Sequence, residues 1–387
     1  MKKSWQTKNL GDVCDVLDHK RKPITKCDRI AGDYPYYGAT GVLGHVEGYI
    51  FDEKLVLVGE DGAKWGSGEN TAFAVEGKIW VNNHAHVLRP HRTKILDNWL
   101  IHFLNHSDLS EFVSGLTVPK LNQGNLRDIP IPLAPLPEQQ RIVGILDAAF
   151  EGITTAKANA EKNLQNARAI FDSHLEAVFS QRGKGWVEKP LSELCNIKHG
   201  FAFKGEFFTN KGDFVVLTPG NYYEAGGYRD RGEKQKYYAG EIPPDYILKE
   251  GDMLVAMTEQ AAGLLGSPLL VPESDKFLHN QRLGLVTQKP SVPWTNEFFF
   301  HVFNTQSVRS AIHSSASGVK VRHTSPTKIG DVVVSFPTSI KEQKSIVSVL
   351  ADLKTETNCL AAIYQQKLAA LEALKKSLLH QAFSGEI

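Results

Sequence analysis

The sequence predicts a mixed α/β (α+β) protein: two related globular domains joined by two long helices that pair as an antiparallel coiled coil, with a pseudo-two-fold internal repeat. Three observations carry that expectation. Residues 138–180 recur as residues 342–384 at a constant offset of 204, with no gap over 43 residues and no proline in either copy. Apolar residues there recur at steps of three and four, as in Ile346, Leu350, Leu353, Leu360, Tyr364, Leu368, Leu371, Leu374 and Leu378. This is a helical, near-heptad period with a stutter between Tyr364 and Leu368. Finally, Ala149, Ala156, Ala160 and Ala167 of the first copy are Leu353, Leu360, Tyr364 and Leu371 in the second. A small-residue seam offers holes to a large-residue one, which favours pairing within the chain. The first helix leaves one domain and delivers the next, and the second leaves that domain and ends, so compact pairing runs antiparallel.

In chain order, the segments are a first globular domain over residues 1–136, a long helix over 137–182, a second domain over 183–339 and a second helix over 340–387. The domains are themselves related. Trp5, Leu10, Val13 and Cys14 match Trp186, Leu191, Leu194 and Cys195 at an offset of 181, and residues 102–105 match 301–304 at 199. Gly115, Leu126 and Asp128 match Gly318, Ile329 and Asp331 at 203. A changing offset means a shared framework with insertions inside it.

In the first domain, Tyr34-Pro35-Tyr36-Tyr37-Gly38 and residues 41–48 read as turns between short strands. Residues 54–59 and 79–81 read as buried strands and 97–105 as a helix. The second domain repeats the order, with strands at 252–257 and 283–287 and a helix at 297–305. Each domain ends in an extended, proline-containing exit, at 129–136 and 332–337. Pro137 suits the first turn of the first long helix, and Ser339 with Glu342 forms a capping-box pattern for the second. Arg182-Gly183-Lys184-Gly185 and Ser384-Gly385 mark the helix ends.

Composition narrows the class. A chain of 387 residues with 42% apolar content can bury two cores. No run of 18 uncharged apolar residues exists, and Met1-Lys2-Lys3 leads into polar sequence, so a cytoplasmic protein that does not engage a membrane is expected. Four scattered cysteines suggest neither a disulfide framework nor a zinc site. Net charge is +1; residues 1–136 carry 16 basic and 16 acidic side chains, residues 183–339 carry 17 and 16. That balance weighs against a strong electrostatic footprint for nucleic acid, unless the charges segregate onto one face or partner subunits supply more.

Catalytic motifs are missing. Gly59-Glu60-Asp61-Gly62-Ala63-Lys64 has the wrong spacing for a phosphate loop, and Trp65 stands where Ser or Thr should follow the lysine. His84, His86 and His91 lack the spaced carboxylate or cysteine partners of a metal site. The sequence contains neither Gly-x-Gly-x-x-Gly nor the Asn/Asp-Pro-Pro-Tyr motif of an amino-methyltransferase.

Two globular units, each followed by a helix that begins Glu-Gln-x-x-Ile-Val and ends Ala-Val-Phe-Ser or Gln-Ala-Phe-Ser-Gly-Glu, resemble the specificity subunit of Type I restriction-modification systems over the whole chain. The most specific pieces are Pro135-Leu136-Pro137-Glu138-Gln139-Gln140-Arg141-Ile142-Val143 and residues 378–387. The second helix lacks the proline of the first. The resemblance implies a non-catalytic, sequence-specific DNA-binding subunit. Its globular units would be target-recognition domains, each reading one half of a bipartite site in double-stranded DNA, and its paired helices the spacer. It implies partners: two modification subunits carrying the adenine-N6 methyltransferase and S-adenosylmethionine, and restriction subunits for translocation and cleavage with ATP and Mg. It implies no cofactor in this chain.

Candidate DNA contacts lie in polar, aromatic-rich loops. They are Lys64 and Trp65, then Lys120, Asn122 and Gln123 before the first exit. In the second domain they are Tyr222, Tyr223, Arg229, Arg231, Lys234 and Lys236, with Lys320, Arg322 and His323 before the second exit. Such residues supply base or phosphate contacts; a solvated loop is the plain alternative for each. Asn83-His84 and Asn280-Gln281-Arg282 occupy matching places and either turn a loop or touch DNA. A different functional class, a coiled-coil scaffold holding two ligand-binding α/β domains with no nucleic-acid role, is favoured only by the near-neutral charge.

Overall fold

The computed structural model describes residues 5–115, 117–260 and 263–387. Two compact units emerge, Met1–Asn163 with Tyr364–Ile387, and Leu164–Ile363. Each takes one globular domain together with a portion of both long helices, so contacts group the chain differently from its linear segments.

In the first unit, four antiparallel strands form the central sheet in the order Cys14–Val16, Ala85–Pro90, Leu55–Gly59 and Ala72–Val75. All five residues of Leu55–Gly59 are buried, as the apolar run predicts for a strand covered on both faces. A second sheet has the order Gly41–Val46, Tyr34–Gly38, Lys78–Val81 and Phe51–Asp52, with Tyr34–Gly38 parallel to Lys78–Val81. The glycine-rich stretch expected as turns is therefore mostly a hairpin. The helix Asp97–His106 packs on the central sheet, and Gln6–Asn9 pairs with the exit strand Pro130–Leu133.

The second unit has the same plan. Its central sheet runs Cys195–His199, Leu283–Gln288, Met253–Ala256 and Pro268–Leu270, all antiparallel. Val215–Val216 lies parallel to Phe277–Leu278, as Tyr34–Gly38 does to Lys78–Val81. Trp186–Pro190 pairs with Val333–Pro337. Two backbone bonds repeat as well: Leu10 N–H donates to Ile129 O and Leu191 N–H to Val332 O, each at 2.9 Å. The main departure is an insertion. Where residues 39–40 join two strands in the first unit, a loop over 217–236 does so in the second. A further helix, Gln306–Ser315, was not expected from the sequence.

The long helices are continuous over Leu136–Ser180 and Ile340–Ser384. In the first unit, Ile142 and Leu146 share a core with Leu379 and Ala382, and Lys157 Nζ meets Glu372 Oε1 at 2.6 Å. In the second, Phe179 packs on the core that Ile346 and Val347 also join, and Lys354 Nζ lies 4.4 Å from the Phe171 ring. Rising numbers on one helix meet falling numbers on the other, so within each unit the pairing is antiparallel. Ala160 and Ala167 are buried on the seam. At the second helix start, Ser339 Oγ accepts the Glu342 N–H at 3.3 Å, but the Glu342 carboxylate takes the Trp186 indole N–H at 2.9 Å, so this carboxylate serves a contact beyond the expected capping box. The helix ends at Gly385 with φ +74° and Glu386 N–H donating to Gln381 O at 2.9 Å, a left-handed glycine stop.

Two devices tie each domain to the helices. Gln139, fully buried, accepts the Leu96 N–H at 2.9 Å and donates to Lys94 O at 2.9 Å and Ala134 O at 2.8 Å. Gln343, also fully buried, accepts the Thr295 N–H at 3.1 Å and donates to Pro293 O at 2.9 Å and Pro337 O at 3.0 Å. Each glutamine thus fills its amide with the backbone just before a domain helix and with its own exit segment. The second device is aromatic. Trp99 meets Trp5 at 5.3 Å and Phe383 at 5.0 Å, while Phe298 meets Trp186 at 6.3 Å and Phe179 at 5.4 Å. The Phe-Ser ending of one long helix therefore clamps the domain whose own Glu-Gln motif begins the other.

Candidate nucleic-acid interface

The strand Leu55–Gly59 runs directly into Glu60, and Lys120–Leu121 folds beside it, with Leu121 N–H donating to Glu60 O at 2.8 Å. Glu60 is buried and ion-pairs with Lys120 Nζ at 2.8 Å and with Arg21. Asp18, also buried, accepts from Val87 N–H at 2.9 Å and Gln123 Nε2 at 3.2 Å, and lies 2.6 Å from His86 Nδ1. Burial works to raise both carboxyls, but the bonds from Lys120 and Arg21 at Glu60, and from His86, Val87 and Arg21 at Asp18, outweigh it and hold both below the usual range.

Asp18, Glu60 and His86 bring their ligand atoms within 4.8 Å of one another, the donor set of a small metal site. Those donors are already committed. His86 Nε2 lies 2.7 Å from Leu121 O, and the two carboxylates hold Arg21 and Lys120. The cluster is an ion-pair network that fixes the loop ends over the sheet.

This accounts for several sequence candidates. Lys120 neutralises Glu60, Gln123 donates to Asp18, and Asn122 caps Gln123–Arg127 by accepting the Asn125 N–H at 2.9 Å. Trp65 is corrected: it is only 8% exposed, its indole N–H donating to Gly59 O at 3.0 Å, so it closes the core instead of facing a ligand. Lys64 is exposed, 3.9 Å from Glu69.

In the second domain Met257 stands where Glu60 does, and the buried glutamate is Glu259, two residues further on. Its Oε2 accepts three backbone N–H bonds, from Gly263 and Leu264 at 3.0 Å and Leu265 at 2.9 Å, while Arg322 and His313 lie 3.6 Å from Oε1. By strand register Lys120, bridged to Asp61, matches His323, paired with Thr258, so Arg322 with Glu259 resembles Lys120 with Glu60 as a cation set against a buried glutamate but lies at a different place in the framework. His323 is exposed and pairs in strand register with Thr258. Lys320 sits on a hairpin whose Gly318, at φ +100°, would place a Cβ 2.1 Å from Val321 O; Gly115, at +95°, meets Val118 O the same way at 2.4 Å. Both turns require glycine. Of the matching polar stretches, Asn280 turns its loop, its Oδ1 accepting Arg282 N–H at 3.1 Å; in the first domain that part is taken by Asn82, whose Oδ1 accepts His84 N–H at 2.8 Å, while Asn83 is exposed.

The inserted loop of the second domain gathers the remaining candidates. Tyr222 is corrected, being 2% exposed inside the core, where burial pushes its hydroxyl pKa well up. Tyr223 is exposed beside it. Asn221 Nδ2 donates to Gln235 Oε1 at 3.1 Å, which also accepts the Arg231 N–H at 3.2 Å, so buried amides brace the loop from inside. On that frame Arg229, Lys234 and Lys236 are exposed and Arg231 half-buried; among the described residues none of the four makes an ion pair.

The family comparison fits this duplicated arrangement. The profile of the Type I restriction modification DNA specificity domain matches residues 2–165 and again 183–373, and the chain belongs to that family. It is 26% identical over 360 residues to a putative type I restriction enzyme specificity subunit, S.HindORF215P, of Haemophilus influenzae, covering 91% of this chain and 88% of that one. Among solved structures, a chain from work on complex assembly and conformational transition of the type I R-M system superposes with a TM-score of 0.73 at 15% identity, covering 99% and 98% of the two chains. The HsdS subunit of Thermoanaerobacter tengcongensis gives 0.59 at 16%, covering 99% and 97%. The chain is thus a DNA-sequence specificity component of a Type I restriction-modification system and not its catalytic part. The ligand-scaffold alternative is not favoured. No helix among the described residues is long and apolar enough to cross a membrane.

Proposed function

We propose that each globular domain reads one half of a bipartite DNA site and that the paired helices set the gap between the halves. In this reading two modification subunits dock on the helical region, bringing the adenine-N6 methyltransferase and its S-adenosylmethionine. Restriction subunits join them for cleavage driven by ATP with Mg, and the assembly works in the cytoplasm. The observation that carries the reading is the repetition of one framework, down to Gln139 and Gln343, around unlike loops such as residues 217–236. A framework kept constant while its loops diverge suits two half-sites of different sequence. The exposed members of the candidate set, Lys64, Gln123, Tyr223, Arg229, Lys234, Lys236, Lys320 and His323, are the side chains this reading places nearest DNA.

The test is adenine methylation by the modification subunits, with S-adenosylmethionine, in the presence and absence of this chain. Methylation confined to one bipartite sequence should require the chain, and the chain alone should methylate nothing. The same site pattern without it would overturn the proposal.

A further inference from the structure

Residues 19–29, His-Lys-Arg-Lys-Pro-Ile-Thr-Lys-Cys-Asp-Arg, hold five Lys or Arg and one acidic residue, although the first domain as a whole is charge-balanced. The segment joins Cys14–Val16 to Tyr34–Gly38, linking the two sheets of the domain. It is a fixed strap. Arg21 turns inward to Glu60 and Asp18 and donates to Ala85 O at 2.9 Å. Lys22 gives its N–H to Val81 O at 3.3 Å, and its carbonyl takes the Trp80 indole N–H at 2.6 Å. The Tyr36 hydroxyl bonds both the N–H and the carbonyl of Ile24, at 3.0 and 3.3 Å, while the Arg29 guanidinium lies 4.4 Å over the Tyr36 ring.

Two of the five cations therefore act as staples, and the other three do not. Lys20, Lys22 and Lys26 are exposed, and among the described residues none of them makes an ion pair. Elsewhere in this domain Lys64, Lys120, Arg89 and Arg92 are each set against a carboxylate. Positive charge is thus compensated only in part on the strap, where Lys20 acts on Glu53 through space, without an ion pair. Because Glu60 holds both Arg21 and Lys120, the strap adjoins the hairpin before the exit. Three lysines on a pinned backbone lose less freedom on binding than three on a free loop, and rows of ammonium groups suit phosphates, which demand charge more than shape.

We propose that this strap is the phosphate-contacting element of the first domain, with Lys20, Lys22 and Lys26 gripping the DNA backbone while other residues read bases. The inference rests on the DNA-recognition reading above. Its test is the Lys20→Ala, Lys22→Ala, Lys26→Ala triple variant of the full chain, assembled with its modification subunits and titrated with a duplex bearing the methylated site at several salt concentrations. Each lost phosphate contact removes about 0.9 from the slope of log affinity against log salt. The triple variant should therefore lose roughly 2–3 from that slope and bind roughly tenfold or more weakly at low salt, with the methylated sequence unchanged, since phosphates carry no sequence information. The matching Lys→Arg triple should bind like the parent. An unchanged slope, or a changed methylated sequence, would overturn the proposal. If the unaltered complex failed to bind its site, the DNA-recognition reading would fall first, and this one with it.

Discussion

Gln139→Leu and Gln343→Leu should each loosen one domain from the helices and leave the other seated. Each glutamine is wholly buried and makes bonds to three backbone positions. Leucine matches the volume but leaves a backbone N–H and two carbonyls to find water in a packed site, a cost of about 2–4 kcal/mol per substitution. Amide exchange reads the effect locally. Asp97–His106 should exchange faster in the Gln139 variant, and Asn296–Asn304 faster in the Gln343 variant, because those helices begin where the amides dock. Parent-like protection in both would show that the aromatic clamps alone seat the domains.

The second large effect concerns length. Each long helix has 45 residues, about 67 Å at 1.5 Å per residue. Adding seven residues to each, after Ala160 in the first and within residues 364–368 of the second, keeps the seam in phase and lengthens it by about 10 Å. At ~3.4 Å per base pair this is close to three base pairs. The lengthened protein should direct methylation to the same half-sites with a longer gap. Three base pairs also turn the second half-site by roughly 100° at 10–10.5 base pairs per turn, so methylation should slow. An unchanged gap would show that the domains or the partner subunits set the spacing.

What the sequence made legible was the part that is duplicated. Gln139 and Gln343, or Phe383 and Phe179, stand out because the same environment demands the same side chain twice. The strands 54–59 and 252–257 were plain for a different reason: an uninterrupted apolar run has few uses besides a strand buried on both faces. Ala85–Pro90 was obscured by His86, a polar residue inside a central strand that is tolerated only because Asp18 and Leu121 take both ring nitrogens. Trp65 and Tyr222 looked like exposed loop aromatics since glycine and polar residues surround them, but tertiary packing folds the loops over them. The strap is hidden in the charge balance of the whole domain, where its cations are offset by acidic residues elsewhere. A window of eleven residues would have found it, though not which cations are staples, since that depends on Asp18, Glu60 and Tyr36 arriving from elsewhere in the chain.

The central claim is that two structurally equivalent domains read DNA independently. It is tested most directly by replacing residues 14–128 with the corresponding segment of a relative and mapping methylated adenines across a genome. The Leu10–Ile129 bond and the Gln139 bond to Ala134 O lie outside the exchanged segment, and the two Gln139 bonds that fall within it, to Leu96 N–H and Lys94 O, use backbone groups that a relative of the same fold also offers, so the chimera should keep its seat on the helices. One half-site should change while the other half-site and the gap stay as they were. If both half-sites changed together, or neither did, the two domains would not be separate readers and the account would be contradicted.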